Sequence, residues 1–260
     1  MGILNCTPDS FSDGGRYVYT DSLKKRIDEI AQDETDIVDI GGESTRPGAQ
    51  PVSVDEEWNR VKPAILYAKK NYPGLKLSID TYKSEIALRA ISEGADIVND
   101  ISGGVLDTNM LPALSGKGIS IILMHIKGTP QTMQDSPHYL DVLSDVKEYL
   151  GKQISECNNL NVPVYAIDPG IGFGKTVQHN QLILSKLYSF TSFNLPVMIG
   201  VSRKSLFKSV LDMDVSERDT ASGFLESMLI YKGASIIRTH NTSNGKNIKK
   251  LFNFLRSMDV

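Results

Sequence analysis

With 260 residues, 28 Lys and Arg against 31 Asp and Glu, and 40% hydrophobic residues, the chain has a net charge of −3; without a global basic field, nucleic acid is excluded as the main partner. No apolar stretch approaches the roughly 18 residues needed to span a bilayer, and no charged start plus apolar core marks a signal peptide, so the expectation is a soluble protein with no membrane partner. Two cysteines, Cys6 and Cys157, are too few for a disulfide framework and read as packed thiols in a reducing compartment.

Eight short runs of β-branched and apolar residues each end on a polar side chain. Gly2 to Leu4 meets Asn5, Ile37 to Ile40 meets Gly41-Gly42-Glu43-Ser44-Thr45-Arg46, Leu75 to Ile79 meets Asp80, and Ile97-Val98 meets Asn99-Asp100. In the second half, Ile119 to Met124 meets His125, Val162 to Ile167 meets Asp168, Val197 to Val201 meets Ser202-Arg203-Lys204, and Ile236-Ile237 meets Arg238-Thr239-His240. Runs this uniformly apolar have both faces buried, as in a parallel sheet covered by helices.

Between the runs lie segments with helical periodicity. Leu23, Ile27, Ile30 and Ala31 form one apolar face. Val54, Trp58, Val61, Ile65 and Ala68 form the next, behind a capping-box pattern of Ser53 and Glu56. Ile86, Leu88, Ala90 and Ile91 follow, then Ala221, Phe224, Leu225, Met228 and Leu229, and last Ile248, Leu251, Phe252 and Leu255. One crossover helix per strand predicts a single α/β domain over residues 1–260, a (β/α)8 TIM barrel, whose strand tips share one rim. A doubly wound open sheet would instead gather its ligand groups at one switch point. Two polar connections, Cys6 to Tyr19 and Ser44 to Val52, are too long for plain turns and are expected to be mobile lids on the rim.

The glycine-rich stretch Asp168-Pro169-Gly170-Ile171-Gly172-Phe173-Gly174-Lys175 misses the phosphate-loop pattern by one residue, because position 169 is Pro. Its strand-tip carboxylate, partly desolvated, calls for a pair of N–H donors such as a heterocycle edge presents. Asp80 and Asn99 could each cap the following helix, or together read a ring of mixed donors and acceptors. Arg46, Lys204, Arg238 and His240 place cations on three strand ends of a mildly acidic chain and point to an anionic substrate group. With four histidines in all and none paired after the first strand, a multi-histidine metal site is not expected. His138 and His179 have no motif around them and read as surface residues.

Three long motifs carry a resemblance: Gly2-Ile3-Leu4-Asn5-Cys6-Thr7-Pro8-Asp9-Ser10-Phe11-Ser12-Asp13-Gly14-Gly15, Asp39-Ile40-Gly41-Gly42-Glu43-Ser44-Thr45-Arg46-Pro47-Gly48, and Asp168 to Lys175. With the shorter matches around Asp80, Asn99, Met124-His125, Ser202 to Ser205 and Arg238 to His240, the whole chain resembles the dihydropteroate synthase family of pterin-binding barrels. The resemblance implies condensation of 6-hydroxymethyl-7,8-dihydropterin pyrophosphate with p-aminobenzoate, giving 7,8-dihydropteroate and pyrophosphate. By it, Asp80, Asn99, Met124, Asp168, Phe173, Lys204 and Arg238 would hold the pterin. Asn5, Thr45, Arg46, Arg238 and His240 would hold the pyrophosphate, and Phe11, Thr45, Arg46, Pro47 and Ser205 the aminobenzoate. Asn5 and Asp13 would bind Mg²⁺, and Asp9, Asp13, Arg46, Lys204, Arg238 and His240 form the implied catalytic set.

The resemblance further implies loss of pyrophosphate before amine attack, so no protein nucleophile is needed, and it makes Arg238→Ala a variant expected to lose pterin-pyrophosphate binding while keeping its fold. It also implies a homodimer, with the face of Phe224, Leu225 and Met228 as a candidate seam, and a cytoplasmic setting. An organelle, and fusion to hydroxymethyldihydropterin pyrophosphokinase, would apply to a domain trimmed from a longer eukaryotic polypeptide. A pterin-dependent methyltransferase is the alternative in another reaction class, although the loops Thr7 to Gly15 and Ser44 to Gly48 argue against it. A non-enzymatic pterin-binding barrel is the second alternative.

Overall fold

The computed structural model describes residues 1–7 and 16–257. Strands and helices alternate: β1 (Gly2–Asn5), α1 (Arg16–Gln32), β2 (Ile37–Gly41), α2 (Val54–Asn71), β3 (Lys76–Asp80), α3 (Ser84–Ser92), β4 (Ile97–Asp100), α4 (Met110–Leu114), β5 (Ser120–Met124) and α5 (Val142–Asn159). They continue with β6 (Val164–Asp168), α6 (Val177–Ser185), β7 (Met198–Ile199), α7 (Leu206–Leu211), α8 (Arg218–Tyr231), β8 (Ile236–Ile237) and α9 (Thr242–Arg256). β1 to β6 pair in sequence order as a parallel sheet, and β7 pairs with β8. Two seams complete the ring. Ile167 N–H donates to Pro196 O at 2.9 Å, joining β6 to the β7 edge, while Thr239 N–H donates to Met1 O and Ile3 N–H to Thr239 O, each at 3.0 Å, joining the last strand to the first. The result is the expected (β/α)8 barrel.

Local sequence explains the helix starts. The Ser53 side chain accepts from Glu56 N–H at 3.2 Å at the head of α2, but Glu56 turns away to Arg60, so only half of the expected capping box forms. Asp141 caps α5 through Leu143 N–H and Ser144 N–H. Thr176 and His179 form a reciprocal box on α6, so His179 is a structural cap and not a plain surface residue. Asn241 caps α9 by accepting from Asn244 N–H at 3.0 Å.

Register is what builds the rim. Asn5 lies opposite Gly41, Gly41 opposite Asp80, and Asp80 opposite Asn99, so the tips of the first four strands stand side by side. Met124 lies opposite Asp168 on the far arc. Since alternate strand residues face one way, the inward series at the base is apolar: Ile37, Ile97, Ile122, Ala166 and Met198 pack on one another, with Met1 and Ile236 against them. One step higher on the same series stand Asp39, Asn99, Asp168 and Arg238. A plug of hydrocarbon thus carries a charged floor.

Several sequence expectations are corrected. Arg16 to Tyr19 already belong to α1, so the first loop ends before them; its residues 8–15 lie outside the described residues. Leu88 is exposed on α3, as are Phe224 and Met228 on α8 and Leu251 and Leu255 on α9. The periodicity of α8 and α9 was apolar on two sides, and only one side meets the barrel: Ala221 and Leu229 are buried and Leu225 packs beside them.

Candidate active site

The centre of the floor is Arg238, which enters from the end of β8. Its Nε donates to Asp39 Oδ2 and one terminal nitrogen to Asp80 Oδ2, both at 2.6 Å. Asn99 Nδ2 donates to the same Asp39 oxygen at 3.0 Å. Asp39 is fully buried, and among the described residues its Oδ1 has no hydrogen-bond partner. Burial raises the Asp80 carboxyl against the pull of Arg238, and neighbouring Asp39 adds to the rise. Burial opposes the charge on Arg238, but Asp39 and Asp80 outweigh it and hold the guanidinium firmly protonated. Asp80 therefore caps no helix: Lys83 stands at the head of α3.

Across the floor, Asp168 Oδ1 accepts from Gly170 N–H at 2.7 Å. Burial raises this carboxyl too, with Lys204 and then Arg238 among the charges that restrain it. Lys204 donates to Ile171 O, and its ammonium lies 4.7 Å from the centre of the Phe173 ring. Burial lowers Lys204 to about 8, while Asp168 pulls the other way. Asp168, Lys204, Arg238 and Asp80 thus act on one another across one floor. Phe173 packs on an apolar patch that includes Met124, Ile101 and Met133, which gives the polar floor a greasy wall.

The loop holding Phe173 owes its shape to glycine. Gly170, Gly172 and Gly174 have φ of +71, +84 and +64, a region that side chains disfavour. A Cβ on Gly170 would collide with His125 O, and one on Gly174 would meet Lys127 O at 2.5 Å. Lys175 does not reach the rim as a phosphate-loop lysine would. It is buried beneath the loop, donating to Gly170 O and His125 Nδ1 at 2.8 Å and to Phe173 O at 3.0 Å. Burial, reinforced by Lys175, lowers His125 to about 2, so this histidine is a neutral acceptor.

His240 sits beyond Arg238, its Nδ1 3.0 Å from Ser202 Oγ and its N–H donating to the same oxygen at 3.1 Å. Burial, with Arg238 and Arg203 adding to it, lowers its ring to about 3. Arg26 on α1 donates to His240 O at 2.5 Å. Arg203 faces away to Asp219 in a two-pronged pair at 2.6 and 2.8 Å. Asn5 ends β1 beside Gly41, and Ser205 is exposed ahead of α7. Thr45 is half-buried, whereas Arg46 and Pro47 are exposed on the second loop. Asp9, Phe11 and Asp13 lie outside the described residues.

Two features escaped the sequence expectations. Asp39 sits two residues below a strand tip, and attention to tips alone passed over it; stepping back by two from Gly41 would have found it. The cluster of Glu43, Glu57, Lys83, Thr81 and Tyr82 behind the second loop is the other. Conversely, Asp100 is structural, accepting from Ser102 N–H, Ser102 Oγ and Gly104 N–H.

Among the described residues, no group of three or more His, Cys, Asp or Glu could hold a metal ion. Among the same residues, no helix is long and apolar enough to cross a membrane.

Residues 1–240 match the family of pterin binding enzymes. Dihydropteroate synthase of Escherichia coli (strain K12) is 40% identical over 243 residues, spanning 93% of this chain and 86% of its own length. The folate synthesis bifunctional protein of Arabidopsis thaliana is 38% identical over 267 residues, 96% of this chain and 55% of its own length. Among solved structures, Yersinia pestis dihydropteroate synthase in a sulfonamide drug complex superposes with a TM-score of 0.91 at 35% identity, covering 99% of this chain and 94% of that one. Xanthomonas albilineans dihydropteroate synthase with 4-aminobenzoic acid gives 0.91 at 32% identity, covering 98% and 92%. With a barrel, a charged floor and relatives of this likeness over nearly its whole length, the chain belongs to the pterin binding enzyme family.

Proposed function

We infer that the chain is a dihydropteroate synthase, a transferase that joins 6-hydroxymethyl-7,8-dihydropterin pyrophosphate to p-aminobenzoate. One observation carries the assignment: two buried carboxylates, Asp39 and Asp168, and the half-buried Asp80 share a floor with Arg238 and Lys204. Acceptors therefore outnumber cations, and one of them, Asp39 Oδ1, has no partner among the described residues. A buried acceptor without a donor costs about 1–3 kcal/mol, and the amino and N–H edge of a pterin supplies such donors. Asp80, Asn99 and Asp168 would hold that edge, and Met124 and Phe173 the ring faces. Lys204 and Arg238 would stand where the ring gives way to the leaving group.

Arg238 and His240, together with Asn5, Thr45 and Arg46, form the proposed diphosphate end. Asn5 offers one hard oxygen donor there, and Mg²⁺ characteristically takes few protein ligands and completes its shell from phosphate oxygens and water. That donor set fits the ion; Asn5 and Asp13 would hold it, and when bound it would neutralise charge on the diphosphate. The C–O bond to the diphosphate breaks first, its electron pair leaving with the diphosphate. The pterin-stabilised cation is then attacked by the aromatic amine, which forms the C–N bond and releases its proton. The floor's cations favour the departing charge, and the second loop keeps water from the cation. The aminobenzoate would lie against Thr45, Arg46, Pro47, Ser205 and Phe11, with Asp9 also in the catalytic set.

The same proposal treats residues 1–260 as one barrel domain, resident in the cytoplasm and paired with a second copy through the exposed stripe of α8. Fusion to the preceding pyrophosphokinase would apply where the domain is part of a longer chain; the Arabidopsis relative is named a bifunctional protein of folate synthesis. The test is pyrophosphate release by purified protein given both substrates, with and without Mg²⁺. Formation of dihydropteroate supports the assignment; methyl transfer to a corrinoid without pyrophosphate release would replace it with the methyltransferase alternative.

A further inference from the structure

The second rim loop leaves the barrel at Glu43 and returns at Val52, and both ends meet on one ammonium. Lys83, from the head of α3, donates to Glu43 Oε2 at 2.5 Å, to Val52 O at 2.7 Å and to Glu57 Oε2 at 2.7 Å. Glu43 Oε2 accepts from Val52 N–H at 3.3 Å, and Glu43 Oε1 from the Tyr82 hydroxyl at 2.5 Å. Thr81 Oγ1 donates to Glu57 Oε1 at 2.7 Å. Three donors of one lysine are thus spent on the outgoing end, the returning end and an anchor in α2. Burial works against the charge on Lys83, but Glu43 and Glu57 outweigh it and keep the ammonium protonated.

At its far end the loop is held more loosely. Gly48 N–H reaches Pro130 O at 3.4 Å, and Gln131 Nε2 reaches Ala49 O at 3.3 Å. Short charged contacts at the stem and long neutral ones at the tip make the stem the part that sets where residues 45–47 can go.

We propose that Lys83 is a positioning residue for the aminobenzoate subsite, acting by pinning the two ends of the 44–51 loop together. It touches no substrate. The proposal rests on the reading of Thr45, Arg46 and Pro47 as aminobenzoate contacts, and its consequence is a split between the two substrates. Loosening the stem misplaces those three residues, while the pterin floor of Asp80, Asn99 and Asp168, which Lys83 does not contact, keeps its shape.

The experiment compares the native enzyme with Lys83→Met, Lys83→Arg and Arg46→Ala in steady-state kinetics, varying each substrate in turn. Lys83→Met is expected to raise KM for p-aminobenzoate at least tenfold, with KM for pterin pyrophosphate within twofold; Lys83→Arg, which keeps a donor and the charge, returns most of the loss. Because Lys83→Met strands Glu57, the pair Lys83→Met with Glu57→Gln is measured as well and should show the same split with a recovered melting temperature. If Arg46→Ala raises KM for p-aminobenzoate and both methionine variants leave it unchanged, or move both substrates equally, the stem has no positioning role and the proposal is wrong. If Arg46→Ala itself has no effect on p-aminobenzoate, the aminobenzoate reading of the loop fails instead.

Discussion

Arg238 shows how far a single residue's role changes once its neighbours are known. Sequence alone makes it an anion-binding rim residue whose loss spares the fold, but its guanidinium also neutralises two carboxylates, Asp39 and Asp80, each at 2.6 Å. Removing one partner of a buried ion pair costs about 3–5 kcal/mol, so Arg238→Ala should lower stability by about that much in urea denaturation, besides losing pterin-pyrophosphate affinity by calorimetry. An unchanged unfolding midpoint would show that the pair is not buried in solution. Lys204 gives a pH prediction. Its amine, lowered to about 8 by burial, is charged below that pH and neutral above it. If its charge is needed, kcat/KM for pterin pyrophosphate declines above about pH 8. Lys204→Arg stays charged, so its decline should begin at least about one pH unit higher. The same alkaline limb in both enzymes would remove Lys204 from the titration.

Among elements, the β6–α6 connection is the most constrained. Three glycines at positive φ, a lysine buried underneath and Lys204 above hold the carbonyls of residues 170, 171 and 173. Gly170→Ala combines a strained φ with a collision against His125 O; a loss of about 3 kcal/mol or more is expected, read from chemical denaturation. Tolerance of alanine there would mean that the loop has a second conformation. The strands and their tips were legible in sequence because burial on both faces and a polar stop leave a local signature. The purpose of Lys175 was not, since its acceptors are backbone carbonyls and His125, fifty residues earlier. The stem cluster was hidden for the same reason: Glu43, Glu57 and Lys83 come from three elements, and none carries a motif of its own.

At the scale of the molecule, the α/β barrel followed from local alternation, but its closure did not, because the last seam joins residues more than two hundred positions apart. The outward side of α8 reads in sequence both as a core face and as a candidate dimer seam, and its exposure removes the first reading. Phe224, Met228 and Tyr231 recur at helical spacing with 71, 59 and 66% exposure, a stripe that a lone helix gains nothing by showing to water. Under the proposed dimer, Phe224→Glu should convert the protein to monomers in sedimentation equilibrium without lowering its melting temperature below that of a native monomer. A native protein that sediments as a monomer at micromolar concentration would end the dimer proposal.

The seam between β8 and β1 has a consequence for a chain emerging from the ribosome. Asp39 and Asp80 are synthesised early, and the guanidinium that neutralises them comes from position 238. Until then a half-made cylinder would have to cover two carboxyl groups that lack their counter-ion, a cost that discourages nascent fragments from collapsing prematurely. Polypeptides cut short of Arg238 should accordingly stay open to protease and chaperone rather than settle into a stable partial ring.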